Sequence, residues 1–147
     1  MSAEISKEQK AKLSSLLNTV TSLPDAVYFL EPVNWESLGL IDYPRVITEP
    51  MDFSTIRKKL DKRDYCSVKE VLEEVQLIYD NCMLYNEESS EVFRAATKMQ
   101  EATKTESAKV FGSSLKYGQK SRAWVELQSQ KKELDDFEEL AKQYKQC

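Results

Sequence analysis

The chain has 147 residues, 41% hydrophobic and 31% charged, with a formal net charge of −4 at pH 7. That length supports one domain with a real core plus a helical appendage, the composition excludes a disordered tail, and the acidic balance speaks against a nucleic-acid binder, which needs a basic face to displace counterions from phosphates. Histidine is absent, which removes the commonest general base, the Ser/His and Cys/His nucleophile pairs and most zinc sites.

No apolar run reaches the length of a bilayer span, and the opening MSAEISKEQK lacks the features of a secretory signal, so an intracellular protein that does not engage membranes is expected. Three cysteines, Cys66, Cys82 and Cys147, none in a Cys-x-x-Cys spacing, fit a reducing compartment. With no phosphate-cradling glycine loop and no metal-ligand cluster, the expectation is a binding protein without enzymatic activity, cofactor or metal.

The first periodic segment places Leu13, Leu16, Leu17, Val20 and Leu23 on one face after Ser6 and Gln9 at capping-box spacing, predicting a helix from about Ser6 to Ser22. All four prolines, Pro24, Pro32, Pro44 and Pro50, then fall between Leu23 and Met51, together with Gly39, so no regular helix is expected there. This loop carries Val27, Tyr28, Phe29, Leu30, Val33, Trp35, Leu38, Leu40, Ile41, Tyr43, Val46 and Ile47. So much apolar surface predicts a segment that packs onto the domain and lines a pocket.

Asp52 is a candidate N-cap for a short helix carrying Phe53, Ile56 and Leu60, ending near Asp61 with Lys58, Lys59 and Lys62 at its C-terminal end. Ser67-Val-Lys-Glu70 reads as a capping box opening the clearest helix, Val68, Val71, Leu72, Val75, Ile78, Tyr79 and Cys82, to about Tyr85. After the polar turn Asn86-Glu-Glu-Ser-Ser, Ser89 or Ser90 caps a helix whose Val92, Phe93, Ala96 and Met99 face inward. Gly112 and Gly118 bracket a hinge. Beyond it Trp124, Leu127, Leu134, Phe137, Leu140 and Tyr144 stripe a charged helix that either packs on the domain or forms a coiled coil interrupted at Lys131. Its carboxylates, Asp135-Asp136 and Glu138-Glu139, read as a solvated face.

Pro32-Val33, Leu38-Gly-Leu40-Ile-Asp42-Tyr43, Val46-Ile47, Pro50-Met51-Asp52-Phe53, Thr55-Ile56, Lys59-Leu60, Asn81-Cys82 and Tyr85-Asn86, in that order and at those intervals, resemble a bromodomain over roughly residues 7–110. The resemblance implies an all-α fold, a left-handed up-and-down four-helix bundle with a long loop between its first two helices. It places the bromodomain at residues 1–112 and leaves 113–147 as a C-terminal helical extension.

The resemblance also implies a role for particular residues. The Asn86 amide would donate to the carbonyl of an acetylated lysine, and Tyr43 would hold the same oxygen through an ordered water. Val33, Leu38, Leu40 and Tyr85 would wall the acetyl group, with Val92 as gatekeeper and Phe29 at the pocket floor. Many family members have Trp-Pro-Phe where this chain has Val27-Tyr28-Phe29, so the phenylalanine is kept and the tryptophan shelf is lost.

Acetylation removes lysine's charge and leaves a neutral amide that a mostly dry slot accepts. Burying an unpaired ammonium costs several kcal/mol, whereas the acetyl form gains about 0.8 kcal/mol per buried carbon and about 1 kcal/mol from a good hydrogen bond. One such anchor leaves little after association costs, which predicts a Kd of about 1 μM to 1 mM.

The expected role is thus recognition of acetylated histone tails or other acetylated proteins in the nucleus, with no direct nucleic-acid contact and with helix-mediated association through the C-terminal segment left open. Glu87, Glu88 and Glu91 read equally as attractors of basic peptides and as a solvated turn. A different class, a helical scaffold with a degenerate pocket, would make Asn86 merely a helix-ending turn residue and Val33, Leu38, Leu40, Tyr43 and Val92 merely packing.

Overall fold

The computed structural model describes residues 5–112, and the striped segment beyond Gly112 lies outside them. Five α-helices follow in order: α1 Lys7–Thr21, α2 Tyr43–Val46, α3 Phe53–Asp61, α4 Val68–Tyr85 and α5 Glu91–Phe111, with a 3-10 helix at Pro24–Phe29 between the first two. Among the described residues there is no strand. The four longer helices make the bundle: α5 packs on α1 and α4, and α3 packs on α4 and α1.

Local chemistry sets the helix ends. Ser6 and Gln9 form a reciprocal capping box, the Gln9 N–H donating to Ser6 Oγ at 3.1 Å and the Ser6 N–H to Gln9 Oε1 at 3.0 Å. Ser90 caps α5 by accepting from the Phe93 N–H at 3.2 Å. Ser67 caps α4 as its sequence predicts, accepting from the Glu70 N–H at 3.2 Å. The Glu70 carboxylate, however, accepts from the Cys66 N–H at 3.0 Å rather than from the cap residue itself, so the box is displaced by one residue.

Asp52, 3% exposed, caps α3 more elaborately. It accepts from the Thr55 N–H at 3.1 Å, from the Thr55 hydroxyl at 2.6 Å and from the Ser54 hydroxyl. The Ser54 N–H in turn donates to Leu30 O at 3.1 Å, tying the start of α3 to the loop. At the other end of α3, Arg63 takes a left-handed φ of 59°, and the Asp64 N–H closes on Lys59 O at 2.9 Å.

Tyr79 is the centre of the core. It is fully buried, its ring meets Phe29 edge-on at 5.8 Å and Phe53 at 6.3 Å, and its hydroxyl pairs with Thr103 Oγ1 at 2.8 Å. Thr103 donates onward to Met99 O at 2.8 Å, so the buried polar pair is satisfied. Leu13, Leu16, Leu17 and Val20 of α1 complete the same cluster, each fully buried aliphatic side chain contributing roughly 1.5–3 kcal/mol.

The long first loop departs from expectation in two ways. It holds structure of its own, because Pro24 and Pro44 sit in the first turns of the 3-10 helix and of α2, where a missing N–H costs nothing. Nor does all its apolar surface pack inward: Phe29, Tyr43 and Ile47 are buried, but Val27, Tyr28, Val33, Leu38 and Ile41 are exposed. The physical reason is that the loop is held at separate points, Ala26 and Phe29 in the main core and Tyr43 and Ile47 against Leu84 of α4 in a second small core, and the apolar residues between those points have no buried partner surface among the described residues.

Candidate functional site

At the end of the bundle where α4 stops and α5 begins, the loop and the two helices enclose a cavity of about 240 Å³. Phe29, Val33, Leu38 and Leu40 reach it from the loop side, Tyr43 from α2, Tyr85 and Asn86 from the end of α4, and Val92 from α5. All eight residues singled out in the sequence therefore line one space. Tyr28, part of the loop expected to line a pocket, lines it as well, as do Glu31, Met51, Ile78, Asn81 and Cys82, to which sequence reasoning had given no role in the pocket.

Asn86 is the C-cap of α4. Its φ of −101° and ψ of 155° are extended, so tolerance of left-handed angles is not what asparagine supplies here. Its side-chain amide donates to Cys82 O at 3.0 Å, using one of two N–H donors and fixing the orientation of the group. The Cys82 Sγ lies 3.7 Å from the same nitrogen.

Tyr43 is 8% exposed, and its ring meets Tyr85 edge-on at 4.9 Å. Its hydroxyl has no hydrogen-bond partner among the described residues, and burial pushes its pKa up to about 12, so it stays a neutral donor throughout the physiological range. Tyr85 donates from its hydroxyl to Asp42 Oδ1 at 2.7 Å, which fastens the loop to the last turn of α4; that bond to a carboxylate is also the first cause of its raised pKa.

Two further fastenings were not foreseen. Asn81, 6% exposed, donates from its amide to Glu49 O at 2.8 Å and so anchors the loop just before α3. An asparagine five residues ahead of Asn86, on the inward side of a helix otherwise apolar there, was the available signal. Cys82 donates from its thiol to Val92 O at 3.3 Å, joining the end of α4 to the start of α5. Burial pushes the Cys82 thiol up to about 12, which makes it a wall of the cavity and not a nucleophile.

The mouth is acidic. Glu31 lines it, and Glu87, Glu88 and Glu91 stand exposed on the turn beside Asn86, none of the four in an ion pair with a described residue. Among the described residues, no group of three or more histidine, cysteine, aspartate or glutamate side chains could hold a metal ion, and no helix is long and apolar enough to cross a membrane.

An apolar-walled cavity at the loop end of a helical bundle, in which the Asn86 carboxamide is held in one orientation and the Tyr43 phenol has no hydrogen-bond partner among the described residues, can admit a small, mostly apolar group carrying a hydrogen-bond acceptor. The chain belongs to the bromodomain family, whose sequence profile matches residues 13–98. It is 45% identical over 73 residues to the transcription factor GTE1 of Arabidopsis thaliana, covering 50% of this chain and 19% of that protein. It is 39% identical over 93 residues to the transcription factor GTE6 of the same plant, covering 61% of this chain and 25% of that protein. With the histone acetyltransferase GCN5 of Debaryomyces hansenii it shares 43% identity over 86 residues, 58% of this chain and 18% of that protein. The matched region is thus a quarter or less of each of these relatives.

Proposed function

We propose that this chain binds acetylated lysine side chains, on histone tails in particular, and acts as a non-catalytic recruitment module in the nucleus. The observation that carries the reading is the meeting of the Asn86 amide and the Tyr43 hydroxyl in one cavity whose other walls include Phe29, Val33, Leu40 and Val92. An acetyl-lysine tip presents a methyl, a neutral amide and one strong acceptor. The walls suit the methyl and the alkyl stem; the amide N–H of Asn86 suits the acceptor. An unmodified ammonium would be stripped of its water by the same walls, with Glu31 at the mouth the one carboxylate among the lining residues to offset its desolvation.

The acidic mouth supports the choice of histone tails, because the lysines and arginines around an acetyl mark would be drawn to Glu31, Glu87, Glu88 and Glu91. The nuclear setting rests on relatives described as transcription factors and as a histone acetyltransferase. Isothermal titration of the chain with matched histone peptides, acetylated and unmodified, tests the reading. The acetylated forms are expected to bind with a Kd of about 1 μM to 1 mM and the unmodified forms at least about tenfold more weakly. Equal responses across the set would remove the proposal.

A further inference from the structure

A second cavity, of about 110 Å³, opens where α1 begins and α3 ends, and it shares no lining residue with the cavity beside Asn86. Tyr65, on its wall, lies just before α4, and Tyr85 ends that helix at the first cavity. The 18 residues of α4, about 27 Å at 1.5 Å per residue, thus separate the two sites. The floor of the second cavity is apolar: half-buried Ile5, with Leu60 and Tyr65 at 5% and 3% exposure. Its other side is cationic. Lys7 and half-buried Lys10 reach it from the start of α1, and Arg63 from the turn after α3. None of these three side chains makes an ion pair or a hydrogen bond with a described residue.

No carboxylate among the described residues lines this recess. Glu8, next to Lys7, pairs with Lys12 at 3.6 Å, and Glu74, which accepts from the Tyr65 hydroxyl, is the partner of Lys59. In a chain of net charge −4, three uncompensated cations around one apolar recess reverse the sign of the local field. Arg63 holds its place at a φ of 59°, where glycine would be the relaxed residue, so the turn carries a guanidinium at some cost in backbone strain.

We propose that this recess binds an aryl phosphate, presented as a phosphotyrosine side chain on a partner protein. A phosphate monoester carries a charge of about −1.5 to −2 and three strong acceptors. The Arg63 fork suits two of those oxygens, and Lys7 and Lys10 act as point charges beside it. A carboxylate would leave two of the three cations uncompensated. The floor decides the body of the ligand: a phosphorylated serine or threonine brings one or two carbons and leaves Ile5, Leu60 and Tyr65 facing water, whereas a ring offers about 150–250 Å² to bury against them. The volume admits one such group and no stretch of polymer, and the net negative charge of the chain opposes nucleic acid and anionic membranes around the recess.

Amide NMR spectra of the full, isotope-labelled chain at constant ionic strength test the inference. Because the two cavities share no lining residue, its failure leaves the acetyl-lysine reading standing. Phenyl phosphate should shift amides of residues 5–10 and 60–65 saturably, and bind at least about fivefold more tightly than inorganic phosphate, which gains nothing from the floor. A phosphotyrosine peptide should bind at least about tenfold more tightly than its unphosphorylated form, in the parent and in Asn86→Ala alike. Lys10→Gln should weaken phenyl phosphate by about three- to tenfold. Arg63→Gly should weaken it equally while Tm stays within about 2 °C of the parent, because glycine relieves the backbone where the guanidinium is lost. Absence of saturable shifts, equal binding of inorganic and phenyl phosphate, or binding that survives both substitutions would each overturn the proposal. Tighter binding of anionic phospholipid vesicles or duplex DNA than of the phosphopeptide would overturn it too, by assigning the cations to an extended surface.

Discussion

Replacing Asn86 by alanine separates the two jobs its side chain holds. In the free protein the amide caps α4 by donating to Cys82 O at 3.0 Å. In the proposed complex it also donates to the acetyl oxygen. Losing a half-exposed neutral hydrogen bond costs about 0.5–1 kcal/mol, which for a chain of this size lowers Tm by about 2–4 °C. Losing the ligand bond costs about 1 kcal/mol, and leaving the buried acetyl carbonyl with only its water-mediated contact to Tyr43 adds about 1–2 kcal/mol. The sum, about 2–3 kcal/mol, corresponds to a Kd weakened roughly 30- to 150-fold. Fluorescence anisotropy with a labelled acetylated peptide reads the affinity, and ellipticity at 222 nm against temperature reads the fold. Asn86→Asp, nearly the same shape but with the donor replaced by a charged acceptor, should bind at least as weakly near pH 7. A folded Asn86→Ala protein that binds within about threefold of the parent would show that the carboxamide does not grip the ligand.

Alkylation with iodoacetamide at pH 8, mapped by peptide mass, should modify exposed Cys66 and spare Cys82, whose thiol is buried and pushed up to about 12; comparable labelling of both would contradict the packing at the cavity wall. Tyr43 is raised by burial from an ordinary value near 10 to about 12, and burial raises Tyr65 and Tyr79 in the same direction. The fold thus favours the neutral phenols: their contribution is intact below pH 10 and is lost as pH climbs through about 12. Stability should be level from pH 6 to 9 and collapse above 10 with tyrosinate absorbance at 295 nm; titration of all the tyrosines near pH 10 in folded protein would refute this. Glu87→Gln and Glu88→Gln should each weaken an acetylated peptide with flanking lysines by about two- to fivefold at low salt, with little effect near 1 M salt or on a peptide with neutral flanks. Salt-independent losses would mean that the glutamates act through the fold.

What the sequence made legible were features decided locally. Ser6 and Ser67 cap the helices they were expected to cap, and Ser90, one of two candidates beside Ser89, caps α5, because a hydroxyl before a periodic apolar run needs only its own backbone neighbours. The family resemblance marked Val33, Tyr43 and Asn86 as residues of one pocket, and they do meet in one cavity although they are far apart in the chain. What escaped was decided by distant partners. Nothing in the local pattern says that Glu70 takes the Cys66 N–H, that Asn81 reaches Glu49, or that Arg63 turns left-handed without glycine. The polar set of buried Gln76 and Asp80 with half-buried Gln100 was equally silent: Gln76 donates to Asp80 at 2.9 Å within α4, but its bond to Gln100 at 2.6 Å depends on α4 and α5 lying side by side. The apolar loop was overread for a related reason: hydrophobic content predicts burial only where a partner surface exists, and Val27 and Ile41 have none among the described residues.

Asn81, Cys82 and Tyr85 together hold both sides of the cavity from little more than one turn of α4. Tyr28, Val33 and Leu38, exposed residues of the lining, carry none of that burden. In the proposed reader, selectivity for the residues neighbouring the acetylated lysine can therefore be redesigned there with small effect on thermal endurance, whereas a change at any of the three tethers frees one side of the cavity. A library randomised at those exposed positions and constant along the tethering turn is the natural starting point for retargeting such a module.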